Sequence, residues 1–237
     1  PEQILKTDPN PGPQCELEFW RRKADNLNSI HHQIEQEDFQ IILNFLKDNK
    51  STFINQFESL QKDMKASRRE ANENNIYFMG LEDYFNKLKS YEFLKLPSLF
   101  PPIIHMTAII YEKSSFYKSP MRIINFIREI CNSIISRAKE NISGDILASF
   151  LVSRDDIDQA VEKLQLTIDV FTKFKDTYYK YKSEKSWKFP VNALFVNFDT
   201  FLERCYDILH ITTTIQQFNR LKSCKIGGTK GHLLTEN

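Results

Sequence analysis

The sequence predicts an all-α protein: an elongated stack of antiparallel helical bundles with a glycine-rich loop at its C-terminal end. Only six glycines interrupt the 237 residues, and the nine prolines cluster at a few points. Between them, apolar residues recur at three- and four-residue spacing, the period of helices with one buried face. Signals for β-strands are scarce. We count about eight helices, which depend on packing against each other for their stability.

The first three helices follow an extended leader that contains three prolines. A serine, Ser51, is placed to cap the third helix at its N-terminus. His31 falls on the stripe of the first helix. In chain order, the three apolar stripes are Leu17, Trp20, Ala24, Leu27 and Ile34; Phe39, Ile42, Leu43 and Leu46; and Phe53, Phe57, Leu60 and Met64.

The middle of the chain predicts the centre of the core. Prolines between residues 94 and 102 mark a turn into a helix from Ile103 to Tyr111 that is almost wholly apolar, which only burial tolerates. His105 lies in this helix, and we expect it to be a hydrogen-bonded core residue. Ser119 and Pro120 then predict an N-cap followed by proline at the first helical position.

Three further stripes describe the second half of the chain. Ser153 with Asp156 resembles a capping box at the start of the second of these helices. The stripes are Ile123, Ile124, Ile127, Ile130, Ile134 and Ile135; Ile157, Val161, Leu164, Ile168, Phe171 and Phe174; and Leu194, Phe198, Phe201, Cys205, Ile208, Thr212, Ile215 and Leu221.

These elements predict four parts in the chain. Residues 1–14 form the leader, residues 15–115 a first helical bundle, residues 116–223 a second bundle, and residues 224–237 a glycine-rich connector. Trp20, Leu27, Ile127 and Phe201 are expected to support the packing of the bundles.

Composition excludes several classes of protein. With 32 basic and 31 acidic side chains the net charge is +1, so no large field directs the chain to nucleic acid or to a membrane surface. No apolar run approaches the roughly 20 residues that cross a bilayer. The four cysteines lack the spacing of a zinc site or of a disulfide framework, which favours reduced thiols in the cytosol. A start at Pro1 indicates a piece of a longer polypeptide.

Catalytic and metal-binding candidates are weak, and we predict no enzyme activity, cofactor or metal for this segment. None of the five histidines belongs to a His-x-x-x-His pair with a carboxylate between its members. The acidic pairs Glu82–Asp83 and Asp155–Asp156 lie at predicted helix starts, where the helix dipole favours anions.

Two segments invite a binding hypothesis. Residues 224–231 hold Gly227, Gly228 and Gly231 beside Lys230, but the strand and the spacing of a phosphate-binding loop are missing, so we favour a tight connector. Residues 173–188 mix lysines with aromatic residues. They fit either contact with an acidic partner or nucleic acid, or lysines that complement a helix C-terminus while the aromatics face the core. Their lysines are Lys173, Lys175, Lys180, Lys182, Lys185 and Lys188.

Several separated blocks, in order, resemble the N-terminal tail of dynein heavy chains, and axonemal more than cytoplasmic ones. They are ELEFWRRKADNL at residues 16–27; LPSLFPP at 96–102, SPMR at 119–122 and REICN at 128–132; and FDTFLERCYDIL at 198–209, QFNRL at 217–221 and IGGTKG at 226–231.

The resemblance implies a stem segment in the axoneme of a cilium or flagellum, assembled in the cytoplasm, with the ATPase motor far downstream. The implied partners are other dynein heavy chains, WD-repeat intermediate chains, light chains and docking or packaging factors, with no nucleic acid and no membrane. Arg21 and Arg22, beside the stripe of the first helix, are candidate contacts with such partners, as are Lys173, Lys180, Lys182 and Lys185. The alternatives are a helical module that binds nucleic acid or acidic lipid through residues 173–188, and a nucleotide-binding enzyme that uses the glycine loop.

Overall fold

The computed structural model describes residues 12–142, 154–185 and 194–222. Within these ranges the chain forms seven α-helices, one 3₁₀ helix and no strand, so the predicted all-α class is confirmed. The glycine-rich loop, with Gly227, Gly228 and Gly231, lies outside these ranges, as does Ser153. The helices are α1 Gln14–Ile34, α2 Glu37–Asp48, α3 Phe53–Ser90, the 3₁₀ helix Phe93–Leu99, α4 Phe100–Lys113, α5 Pro120–Ile142, α6 Arg154–Lys185 and α7 Val196–Lys222.

Helices α1 and α3 form an antiparallel pair. Gln14 donates a hydrogen bond to Asn86 at 2.9 Å, and Asn28 donates to Asn72 at 2.9 Å, so residue numbers rise along α1 while they fall along α3. The prediction that Glu82 and Asp83 begin a helix is wrong, because both lie inside the 38-residue α3. They serve there as partners of basic side chains, Glu82 across to α1 and Asp83 within α3.

The centre of the core comes from the 3₁₀ helix and α4, which bury five of their large apolar side chains almost completely. The continuous stretch Phe93–Lys113 is apolar and long enough to cross a membrane by length and composition, but half of its most apolar part is buried inside the fold. A core helix of a water-soluble protein meets the same criterion, so this stretch is weak evidence for a membrane span. The five side chains are Leu96, Phe100, Ile103, Ile104 and Ile110.

His105 does not lie in the core, contrary to the sequence-based expectation. It is exposed, and its ring centroid lies 6.1 Å from that of Tyr181 on α6. The preceding residues Ile103 and Ile104 turn toward the core, and the next position on a helix points about 100° away. A helix that is apolar almost all round therefore still has one edge in water.

Helix α5 begins at Pro120, as Ser119–Pro120 predicts, and the six isoleucines of its stripe are all buried. Ile127 is completely inaccessible. Helices α6 and α7 are antiparallel: Phe171 stacks on Phe198 with ring centroids 4.3 Å apart, and Gln216, near the end of α7, donates to Asp158, near the start of α6. Phe201 is half-buried and lies 5.1 Å from Phe171.

The core does not reach the far end of the α1–α3 pair. No member of the main buried cluster lies between Ala24 and Ala71, and only Ile34 and Leu43 are buried in that interval. We call residues 25–70 the extension; it consists of the second half of α1, all of α2 and the first half of α3. Leu27, at its base, is half-buried against the core.

The predicted division into two bundles at residue 115 stays a prediction. The main buried cluster draws residues from both sides of that point, including Trp20 and Phe78 before it and Phe126 and Phe171 after it.

Candidate partner-binding surfaces

Trp20 lies in the core and not on a surface. Its indole N–H donates to the Tyr117 hydroxyl at 2.9 Å, and that hydroxyl donates to the Glu16 carboxylate at 2.6 Å. The Phe116 ring packs edge-on at 4.9 Å between centroids. Since a buried N–H needs an acceptor, Tyr117 lets α1 bury a tryptophan against the α4–α5 connection.

This relay places an ionisable group inside the fold. Burial raises the pKa of Glu16 above its ordinary 4.5, while the Tyr117 hydrogen bond and the charge of Arg122 act in the opposite direction. Burial also raises the pKa of Tyr117, so its hydroxyl remains a donor. The folded protein therefore holds the Glu16 proton more tightly than the unfolded chain does.

We expect Glu16→Gln to remove one component of the pH dependence of stability. Because the folded pKa of Glu16 is raised, its contribution is present below the unfolded pKa and is lost as the pH rises through the folded pKa, at about 1.4 kcal/mol per unit of pKa difference. Glutamine keeps an acceptor for Tyr117 and carries no charge. Urea titrations from about pH 4 to about pH 8 should show the variant gaining stability relative to wild type as the pH rises. A constant difference across that range would contradict this view of Glu16.

The two arginines of α1 are engaged within the chain. Arg21 forms an ion pair with Glu82 of α3 at 2.8 Å, and both side chains are about 40% exposed. Arg22 pairs with Glu18, one turn earlier on its own helix, at 3.0 Å. Arg21 therefore ties α1 to α3, and Arg22 is the more accessible of the two predicted partner contacts.

Helix α6 separates its aromatic and basic residues only in part, since Tyr179 is 44% exposed beside the exposed Lys180. Tyr178 is completely buried, and Lys175 pairs with Asp199 of α7 at 2.7 Å. Lys173 and Lys180 are exposed and Lys182 is half-buried, and none of the three pairs with a carboxylate inside the described ranges. The backbone of Lys185 ends α6, and Lys188 lies outside the described residues.

The extension exposes large apolar side chains that the sequence assigned to buried stripes. Ile42, Phe53 and Leu60 are all exposed, and only Leu43 of α2 is buried. The expectation failed because α3 covers one side of α2, whereas the apolar residues of α2 spread over a wider arc. The composition of α2 carried a signal: six of its 12 residues are apolar, more than one neighbouring helix can cover.

The described residues offer little support for a metal site or a reactive cysteine. Among the residues that the structure describes, no three His, Cys, Asp or Glu side chains come together to hold a metal ion. Cys15, Cys131 and Cys205 form no disulfide with each other, and burial raises the pKa of Cys205 to about 11. Cys131 and Cys205 are buried and protonated, which suits packing rather than reactivity.

Comparison with known proteins tests the resemblance. The family model described as "Dynein heavy chain, N-terminal region 1" matches residues 2–237. The dynein beta chain of the flagellar outer arm of Chlamydomonas reinhardtii is 38% identical over 99% of this chain, which covers 5% of that protein. Dynein axonemal heavy chain 11 of Sus scrofa is 29% identical over 97% of this chain, and dynein axonemal heavy chain 9 of Homo sapiens is 26% identical over 99%, in each case with 5% of the relative covered.

The predicted resemblance is thus confirmed along the whole sequence, and the relatives are flagellar and axonemal proteins, as expected for a segment of the axoneme. The chain spans about 5% of the length of the curated relatives it matches. The matched region is the N-terminal tail region and not the ATPase motor domain. This chain belongs to the dynein heavy chain family and represents the N-terminal region of an axonemal member.

Proposed function

We propose that this segment is a non-catalytic part of the tail of an axonemal dynein heavy chain and acts as an assembly scaffold. In this role it associates with other heavy chains and binds WD-repeat intermediate chains, light chains and docking or packaging factors. These contacts anchor the ATP-driven motor on ciliary doublet microtubules after assembly in the cytoplasm. The antiparallel pairs α1–α3 and α6–α7 support this role, because paired helices keep a fixed length and present long faces to partners.

The apolar surface of the extension carries the proposal. Three side chains of α2 are more than half exposed: Ile41 by 59%, Ile42 by 56% and Phe45 by 65%. Phe53 and Leu60 of α3 add to the exposed apolar area of the extension. Exposed apolar side chains grouped on one side of a helix mark interaction sites, because their exposure to water is costly until a partner covers them.

The alternative, binding of nucleic acid or acidic lipid by α6, has less support. Asp176 and Glu184 are exposed on the same part of the helix as Lys173 and Lys180, and Lys175 is already paired with Asp199. The described charges of this helix end are therefore mixed, whereas polyanion binding needs a concentrated positive surface.

A pull-down from ciliary extract tests the scaffold. The immobilised chain should retain other heavy chains or intermediate chains at moderate salt, identified by mass spectrometry. The triple variant Ile41→Ser, Ile42→Ser, Phe45→Ser should lose at least about tenfold of this material, since each residue contributes exposed apolar area. Met121→Ser, an exposed apolar change on α5, serves as the control and should retain it. Recovery of salt-labile nucleic acid or lipid without dynein subunits would reject the proposal.

A further inference from the structure

The outer face of α2 is a continuous apolar stripe. Ile41 and Phe45 are one turn apart, and Ile42 lies beside both, so the three side chains cover the same side of the helix. On the opposite side, Leu43 is buried, and Phe39 meets Phe57 of α3 with ring centroids 5.8 Å apart. Helix α2 is thus apolar on the side that α3 covers and on the side that faces water.

Within α2, the charges that border this stripe are acidic. Glu37 and Asp38 lie one turn before Ile41 and Ile42, and Asp48 lies three residues after Phe45; all three acids are exposed. Lys47 is the only basic residue of α2, and it pairs with Glu58 of α3 at 3.2 Å, on the side away from the stripe. The stripe therefore begins and ends beside carboxylates, with no basic residue of α2 facing the same way.

This charge pattern disfavours a second copy of the same face. Antiparallel packing of two α2 helices would bring Asp38 of one against Asp48 of the other, and parallel packing would bring each of these acids against its own equivalent. Like charges placed opposite each other at an interface oppose association. Charge complementarity instead requires a partner with basic residues beside its apolar surface.

We propose that the outer face of α2 docks an amphipathic helix of a partner protein, with an apolar stripe flanked by lysine or arginine. The proposal rests on the scaffold function and names the chemistry of one partner. A helix fits because Ile41, Ile42 and Phe45 form an apolar patch about one turn long on one side of α2, which the apolar face of a second helix can cover. The cationic borders of that helix would then meet Asp38 at one end and Asp48 at the other.

Two synthetic helical peptides test the inference. Both carry the same leucine stripe, flanked by lysines in one and by glutamates in the other, and fluorescence anisotropy measures their binding to the whole chain. We expect the lysine peptide to bind at least about tenfold more tightly, with an affinity that falls as salt rises. The variant Ile41→Ser, Ile42→Ser, Phe45→Ser should lose this binding, and Asp38→Lys, Asp48→Lys should reverse the preference between the peptides.

A second charge reversal, away from α2, shows whether the peptides respond only to the net charge of the whole molecule. Glu203→Lys, Asp207→Lys on α7 changes the net charge by the same amount, and both residues are exposed far along the sequence from α2. This variant should keep the preference for the lysine peptide. Unchanged circular dichroism melting shows that each variant is folded, so that a loss of binding reports on the surface.

Equal binding of the two peptides to wild type would overturn the inference, as would an equal effect of the two charge reversals. These results are separable from the scaffold test. Dynein subunits retained in the pull-down without a peptide preference would reject only the basic helix, whereas a peptide preference without any retained subunit would reject the scaffold.

Discussion

Ile127→Asp is expected to abolish cooperative unfolding of this chain. Ile127 lies on α5 and is completely buried among the side chains of the main cluster. An aspartate there places a carboxylate without a partner in an apolar interior, which costs several kcal/mol against a total stability of about 5–15 kcal/mol for a typical domain. Circular dichroism during heating should show a broad transition or aggregation in place of a sharp melt.

Two matched variants make this expectation specific. Met121→Asp adds the same carboxylate to the same helix at a position that is 61% exposed, and its effect should stay within about 0.5 kcal/mol. Leu27→Asp should be intermediate, at about 1–3 kcal/mol, because Leu27 is only half-buried. Periodicity alone predicts that Leu27→Asp unfolds the chain as completely as Ile127→Asp. Sharp melting of Ile127→Asp within about 1 kcal/mol of Met121→Asp would show that the α5 stripe is assigned wrongly.

Trp20→Ala should destabilise the fold by about 3–5 kcal/mol. Trp20 is completely buried, so truncation removes a large apolar side chain and leaves a cavity against Phe116 and Tyr117. It also removes the N–H that donates to the Tyr117 hydroxyl. The free energy of unfolding, measured in urea, reports the loss.

Trp20→Phe separates the cavity from the hydrogen bond. Phenylalanine restores much of the ring but cannot donate to Tyr117, so we expect a smaller cost, with about 0.5–1.5 kcal/mol from the missing hydrogen bond. Equal costs for Trp20→Phe and Trp20→Ala would mean that the hydrogen bond to Tyr117, and not the volume of the ring, accounts for the stability contributed by Trp20.

Local sequence predicted much of the helical framework. The six isoleucines of α5 share one face because of their spacing, and all six are buried. The start of α5 at Pro120 follows from backbone chemistry, since proline has a favourable φ for a first turn and lacks only an N–H that the helix does not use there. The antiparallel pairing of α6 and α7 fits two long stripes joined by a short connection.

The sequence-based predictions that failed have a common cause: local sequence does not show which other elements pack against a residue. Glu82 and Asp83 look like a helix start, but they lie within a helix of 38 residues whose core contacts override weak local signals. His105 looks buried because its neighbours in sequence are apolar, yet its side chain is exposed and meets only the edge of α6, at Tyr181, among the described residues. Ile42, Phe53 and Leu60 look like core residues because they recur at helical spacing, but no described element covers them.

The candidate partner-binding residues could also be predicted only in part. Sequence identified Arg21, Arg22 and the lysines of α6 as charged residues suited to partners, but it could not show that Arg21 is paired with Glu82 or that Lys175 is paired with Asp199. The residues of these pairs are 61 and 24 positions apart in the sequence. Residues so far apart come into contact only after the helices pack against each other. The exposed face of α2 was missed because its residues are apolar.

The helical class, most of the buried stripes and the membership of the dynein heavy chain family could be predicted from sequence, because periodicity and the order of sequence blocks are properties of the chain alone. Which stripes a neighbouring helix covers became clear only from the packing of the helices. Helix period specifies which side chains share a face, whereas burial depends on what packs against that face. The core packs against the isoleucine face of α5, whereas no described part of this chain packs against the outer face of α2.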